Sequence, residues 1–485
     1  MLQKMAQQAA QPPSRELKPD ICVIGGGAGG LATAAAAAAF GVPVVLIDNG
    51  RSGGAVRRAD VPANALLAAA ERANVIRNAG RFGLKTVGAG VDFAAVKSYV
   101  REAVDAVAPN ERRERLAGLG VRVIEGAARF IDSSTVAVDG AAIAARRFVI
   151  ATGSSPALPA IPGLAETPHI TNETIFDLTE CPRHLLVIGA GSVGLELAQA
   201  FGRLGAEVTV LDAATPLAGN DPECAAIVLD ALAREGITLR TGIAMTRVRR
   251  VLARIEIDIA TPAGIETLTG SHLLVAAGRR PNVEDLDLDA AGIRYAPGGI
   301  VVDKRLRTTN KRVYAVGDVT VGPKWTHLAN YHAELVVRHA LFRQAVGVEP
   351  RVIPSVTHTD PELAQVGFLE DEARVHAGAI RVLRWPYRDN DRAQCTQATA
   401  GHIKVITDRR GDILGATIVG AAAGENIAAW ALAIGQKLNI SAFAGLVVPY
   451  PAYAEVGKRA AMTYFMRGLT SSHTRRIMGW LRRLG

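Results

Sequence analysis

The chain has 485 residues, too many for one hydrophobic core, so two to four domains are expected. Hydrophobic residues make up 49% and charged residues 21%, the balance of a soluble globular protein, and at 5% aromatics there is little material for a base-stacking nucleic-acid surface. The net charge of +9 is concentrated in one place: residues 467–485 hold five arginines and no acid, which argues against a polyanion partner for the chain as a whole.

The first twenty residues are polar, contain three prolines and lack an apolar signal-peptide core. No stretch approaches the ~18 uncharged apolar residues of a membrane span. The expected compartment is therefore the cytoplasm. Cys22, Cys181, Cys224 and Cys395 are widely spaced, without C-x-x-C or metal-ligand grouping, and no metal site is expected.

Residues 20–48 read as an apolar run (ICVI), a glycine turn, an alanine-rich helix and a second apolar run ending on Asp48. Gly25, Gly27 and Gly30 stand in G-x-G-x-x-G spacing. This is the strand–turn–helix–strand unit that binds a dinucleotide: the first glycine makes the turn, the second admits a pyrophosphate and the third lets the helix pack. The helix N-terminus offers unpaired N–H groups to the phosphates, and Asp48 is placed to accept from ribose hydroxyls.

A glycine-flanked loop follows (RSGGAVRRADVP), then a helical run from Ala63 to about Gly80 and a charge-rich helical stretch over 91–118, interrupted near Pro109. Short alternating segments over 121–150 predict a small β meander that closes on FVIATGSSP, with Thr152, Gly153 and Ser154 at its end. Residues 184–212 then repeat the first unit, with Gly189, Gly191 and Gly194 leading to Asp212, and the interval from last glycine to acid is 18 residues in both copies. A second meander ends on HLLVAAGRRPN, where Gly278 echoes Gly153. Two complete fingerprints imply two dinucleotides. Beyond them come KRVYAVGDV, a helix over 326–343 and an α+β segment from 352 onward, with PELAQVGF, GHIKVITD and GDILGATIVG as strands and 424–438 as a helix.

With these stretches in place, the chain resembles the FAD-dependent pyridine nucleotide–disulfide oxidoreductases over about residues 20–465. The matching motifs are GGGAGG, FVIATGSSP, VIGAGSVGLELA, LVAAGRRPN, YAVGDV, THTDPELAQVGF and NDRAQ. The resemblance implies an α/β fold with two Rossmann-like domains and a C-terminal α+β dimerisation domain. Its expected parts are a flexible leader (1–19), an FAD domain (20–158 and 282–350), an NAD(P) domain (159–281), an interface domain (351–466) and a basic amphipathic tail (467–485). It further implies that FAD meets Gly25, Gly27, Gly30, Asp48, Gly53, Gly54, Asn64, Ala128, Thr152, Gly153, Ser154, Gly317, Asp318, Thr326 and His327. For NAD(P) the implied set is Gly189, Gly191, Gly194, Glu196, Asp212 and Gly278. Thr326 and His327 are read either as a helix cap and a packed ring or as direct cofactor contacts. Asp212 pairs with a free 2′-hydroxyl and repels a 2′-phosphate, which favours NADH over NADPH.

The chain departs from the family in two places. The loop that normally holds the redox pair C-x-x-x-x-C reads GGAVRRADVPAN at 53–64, without cysteine, one residue shorter and with Asn64 at the usual lysine position. Near the C-terminus the family's His-Pro becomes Tyr450-Pro451, while Glu455 remains. Glu196, Tyr450 and Glu455 are the candidate catalytic residues. Tyr450 either donates a hydrogen bond to a bound oxygen or packs as an interface aromatic. Glu196 is either unpaired or paired with Arg57 or Arg58.

Three functions compete. The leading one is an NAD(P)H oxidoreductase delivering electrons to a small non-disulfide acceptor such as a quinone, metal ion or dye. The second is a dithiol or disulfide reductase, and the third a flavin-binding pseudoenzyme or NAD(H) sensor. A homodimer is expected, with no nucleic acid. In the tail, Ile477, Trp480, Leu481 and Leu484 share a helical face beside Arg475, Arg476, Arg482 and Arg483, so the tail is read as a weak membrane-surface contact, a helix packed on its own domain, or a solvated tail.

Overall fold

The computed structural model describes residues 15–50, 53–86, 90–111, 113–469 and 472–482. Each fingerprint builds its own five-stranded parallel sheet. The first sheet runs in the order Val313–Ala315, Arg147–Ile150, Ile21–Ile24, Val44–Asp48 and Val121–Glu125. The second runs Ile170–Thr171, His272–Val275, His184–Ile188, Glu207–Asp212 and Thr238–Thr241. Their central strands are apolar along most of their length because both faces are covered, and Ile21, Cys22, Val23, Ile24 and Leu185, Leu186, Val187, Ile188 are all buried.

The predicted meander over 121–150 is divided between two sheets. Val121–Glu125 and Arg147–Ile150 join the parallel sheet, while Arg129–Asp132, Thr135–Val138 and Ala141–Ile143 form a separate sheet. Arg15–Leu17 adds to that sheet by parallel pairing with Ala141–Ile143, so this part of the predicted leader is a strand. Alternation alone could not assign the segments, because it does not record which strand pairs with which.

The second meander is a three-stranded antiparallel sheet (Ala244–Val251, Arg254–Thr261, Gly264–Gly270). Residues 355–420 form a five-stranded antiparallel sheet under the helix Ala423–Gly435. It includes Ser355–Thr357 and Ile380–Pro386, two strands beyond the three predicted.

The stretch at 53–64 is not an open loop. Val56–Asp60 winds as a π-helix that continues into the helix Val61–Arg77, with Pro62 in its first turn. Single π turns of this kind commonly mark functional sites.

The helices Glu455–Leu469 and Ser472–Leu481 close the described chain, and Met478, Trp480 and Leu481 are exposed. Leu484 and Arg483 lie outside the described residues. Among the described residues no helix is long and apolar enough to cross a membrane.

Candidate functional site: a dinucleotide cleft with a helical floor

At the end of the first parallel sheet lies a cleft of about 400 Å³. Gly25 turns the chain at φ +113°, and a Cβ there would sit 2.4 Å from the Ala151 carbonyl oxygen. The two following glycines differ in kind. A Cβ on Gly30 would lie 1.9 Å from the Gly25 oxygen, so Gly30 is needed for the helix to pack. A Cβ on Gly27 would meet nothing within 4 Å, and this glycine lines the cleft, so it leaves room for a pyrophosphate to approach the backbone. Gly27 also caps the helix Ala28–Ala39 without a side-chain hydrogen bond, so no side chain competes for its first N–H groups. Residues of this kind fit a dinucleotide pyrophosphate.

Of the residues assigned to FAD by resemblance, Gly25, Gly27, Asp48, Gly54, Ala128, Thr152, Gly153, Ser154, Gly317, Asp318 and Thr326 line this cleft. Gly30 stands behind the turn, and Gly53 donates its N–H to the Gly26 carbonyl at 2.9 Å. Two residues are elsewhere. The Asn64 amide donates to the Asp60 carbonyl one helical turn back (2.9 Å), because its segment is helical. The His327 ring stacks on Trp325 and reaches the Pro354 carbonyl (2.8 Å), facing away from the lining.

Several lining residues lie within or beside quoted motifs without having been assigned a role. Arg279 donates to the Ser154 hydroxyl (2.7 Å) and to Glu173 (2.8 Å), while the Ser154 hydroxyl donates to Asp318 (2.6 Å). Asn282 exchanges bonds with Thr152 in both directions (2.9 and 2.7 Å). Burial raises the Asp318 carboxyl above its ordinary range, against the Ser154 hydrogen bond and the Arg279 charge. A signal for Arg279 was present in the repeat: it follows Gly278, the echo of Gly153, and the segments after these two glycines pair as antiparallel strands.

Behind Gly317 stands His332, buried on the helix Thr326–Phe342, whose Nδ1 accepts the Gly317 N–H at 3.2 Å. Burial pushes this imidazole down to about 4, so it is the neutral form that accepts.

The π-helical turn forms the floor. Arg58 lines the cleft, and Asp60 accepts a hydrogen bond from Thr326 at its edge. The Arg57 Nε is buried without a hydrogen-bond partner among the described residues. Neither arginine pairs with Glu196, whose Oε1 instead accepts the backbone N–H of His358 at 2.7 Å. Burial, helped by the charges of Asp60 and Glu362, pushes the Glu196 carboxyl up to about 7, against the His358 hydrogen bond and charge. The folded protein therefore binds a proton at Glu196 that the unfolded chain releases near its ordinary value of 4.5. Stability is lost as pH rises from the unfolded to the folded value, and the loss is complete above it. Glu196→Gln removes this loss: the difference in urea midpoint between variant and wild type should grow in favour of the variant between pH 4.5 and 7. A pH-independent difference would show that Glu196 does not titrate there.

The second fingerprint repeats the first. A Cβ on Gly194 would lie 2.0 Å from the Gly189 oxygen, whereas Gly191 and Gly278 face open space. Asp212 accepts from the backbone N–H of Ala190 (2.6 Å) and of Ala214 (2.8 Å), so its carboxylate braces the glycine turn it was expected to serve.

Tyr450 is exposed and donates to Asp391 at 2.7 Å, a bond that raises its phenol above the ordinary value. It lines a small cavity with Glu455, which is held by Arg459 (2.9 Å). Tyr450 and Glu455 are thus neighbours, and neither reaches the cleft within one chain. No cysteine lines the cleft, since Cys22 and Cys224 are buried in strand and helix and Cys181 and Cys395 lie elsewhere.

Two stretches of the chain match known families: residues 19–333 match the pyridine nucleotide-disulphide oxidoreductases, and residues 353–461 match their dimerisation domain. The chain belongs to this family. It is 36% identical to mercuric reductase of Streptomyces lividans over 92% of this chain and 96% of the relative. It is 30% identical to dihydrolipoyl dehydrogenase of Geobacillus stearothermophilus, again over 92% and 96%. The crystal structure of LpdA from Mycobacterium tuberculosis superposes with a TM-score of 0.83 at 27% identity, covering 92% of this chain and 99% of that one. Membership makes the protein a homodimeric flavoprotein oxidoreductase that uses FAD and a pyridine nucleotide. An interface is available on the C-terminal domain, where Leu432, Val447, Tyr450 and Met466 are exposed.

Proposed function

We propose that this member of the family carries electrons from NADH to a small acceptor that is not a disulfide. The observation that supports the reading is the floor of the cleft: residues 53–64 contain no cysteine, and the turn there is helical and presents Arg58 and Asp60. Without a thiolate on that floor, no mixed disulfide can form there. Bound FAD supplies the two-electron exchange between nicotinamide and acceptor. The chain holds it through the first fingerprint, Asp48 and the Ser154–Asp318 pair, and holds the nicotinamide dinucleotide through the second. An acid at Asp212 favours NADH, since a 2′-phosphate would meet a carboxylate there.

The test is anaerobic mixing followed by an acceptor screen. NADH should bleach the flavin absorbance faster than NADPH, and quinones or dyes should restore it, while lipoamide and glutathione disulfide should not. Absence of bleaching by either nicotinamide sinks the reading. Turnover of lipoamide would establish instead the disulfide reductase that the names of the relatives favour.

A further inference from the structure

One face of the second fingerprint helix, Ser192–Leu204, carries Ser192, Glu196, Gln199 and Arg203, spaced by four, three and four residues. That spacing places them in a single row. The row does not face solvent: Gln199 is 2% and Arg203 6% exposed. It is docked, position by position, on residues 357–360 of the interface domain. The Ser192 and Thr357 hydroxyls are 2.8 Å apart, and Glu196 accepts the His358 N–H at 2.7 Å. Gln199 donates to the Asp360 carbonyl (2.9 Å) and accepts the Asp360 N–H (2.8 Å). Arg203 donates to the Asp360 carboxylate (2.7 Å) while forking onto Glu235 (2.6 and 2.7 Å).

A second polar contact holds the same two domains together at the start of the helix Pro222–Arg234. Buried Lys404 of the interface sheet lies 2.7 Å from Asp221 and 3.0 Å from Glu370, and Arg384 grips Glu223 at 2.8 Å. Ionic contacts of this kind add little net stability, because desolvation offsets the attraction where they are buried, as at Lys404–Asp221, and water screens it where they are exposed, as at Arg384–Glu223. They do fix register, since a one-step slide leaves every partner unsatisfied. An apolar face would permit sliding where this one does not.

The N-terminus of the clamped helix is the end that carries Gly191, the open glycine of the nicotinamide fingerprint. We propose that Gln199, Arg203 and Asp360 are positioning residues for hydride transfer: they hold the nicotinamide-binding helix at a fixed place on the interface domain, and so fix where the bound nicotinamide stands relative to the flavin cleft. The proposal rests on the reading that this fingerprint delivers hydride from NAD(P)H. A misplacement of about 1 Å can cost on the order of 100-fold in rate without loss of binding.

Asp360→Ala is the informative variant, because its side chain is 59% exposed and can be removed without opening the core. Two readouts are needed. Amide hydrogen exchange should rise in the helix Ser192–Leu204 and in residues 355–360, and nowhere in the first fingerprint. Flavin reduction by NADH should slow at least about 10-fold, with NADH affinity within about threefold of wild type and with bound FAD unchanged. Lys404→Met should do the same through the second contact. Unchanged exchange in both variants overturns the proposal, as does wild-type reduction rate in a variant whose exchange has risen. Slowing accompanied by an equal loss of NADH affinity or of FAD also overturns it, since that is a structural effect. If wild-type flavin is reduced by neither nicotinamide, the proposed function fails, and that outcome is separable because the exchange experiment needs no turnover.

Discussion

Gly27→Ala should yield a folded dimer that has lost its flavin, whereas Gly30→Ala should fail to fold. The added methyl group is the same in both, but its surroundings differ. At Gly27 the Cβ meets no protein atom within 4 Å and projects into space a pyrophosphate must share with the backbone. FAD affinity should therefore fall by at least about 100-fold, some 2.7 kcal/mol, with the melting temperature of the apoprotein unchanged. At Gly30 the Cβ lies 1.9 Å from the Gly25 carbonyl oxygen, and the helix must leave the sheet to make room. Overpacking against a rigid backbone costs more than about 3 kcal/mol. The second fingerprint should behave in parallel and independently: Gly191→Ala keeps FAD and loses NADH binding, and Gly194→Ala destabilises the domain. Flavin content, circular dichroism and NADH titration of the four variants decide the matter. Retention of both cofactors by Gly27→Ala and Gly191→Ala would place the dinucleotides somewhere other than these turns.

Acidification should release flavin before it unfolds the protein, and His332 should be the cause. Its Nδ1 accepts the Gly317 N–H, at the turn that presents Asp318 to the cleft, and only a neutral imidazole can accept. Burial holds the folded value down to about 4, below the ordinary 6.5 of the unfolded chain. Between those values the unfolded state binds the proton and the folded state does not. The contribution to stability is present above pH 6.5 and is lost as pH falls through the folded value. A loss on the order of 2 kcal/mol is expected across that window. Release of flavin fluorescence should follow it. His332→Gln, which offers an acceptor that does not titrate, should flatten the profile. If its release curve matches that of wild type, another group governs the acid response.

The sequence made some of this architecture readable and left the rest hidden for a physical reason. The glycine turns, their helices and the terminal acids are local: everything each unit needs lies within thirty residues, so spacing alone identified them. The partners that shape the cleft are remote. Glu173 and Arg279 are 106 residues apart, Gln199 and Asp360 161, and Asp60 and Thr326 266. No periodicity within a segment records such pairings. Asn64 lies in the helical run the sequence predicts, and that helix turns its amide onto its own backbone one turn back, a contact no motif records. For His327 the sequence left a packed ring and a cofactor contact open, and the ring stacks on Trp325 and reaches the Pro354 carbonyl. His332 was missed because a buried histidine on a helix looks like packing until its acceptor role is seen.

The helical winding of Val56–Asp60 also bears on what chemistry this floor can accept. Its backbone groups are committed to the helix that follows, so two cysteines placed here by substitution would sit on wound backbone and not on a loop free to bring their sulfurs together. Freeing that backbone would unwind the turn that carries Arg58 and Asp60, disturbing the cleft before any thiol chemistry could begin.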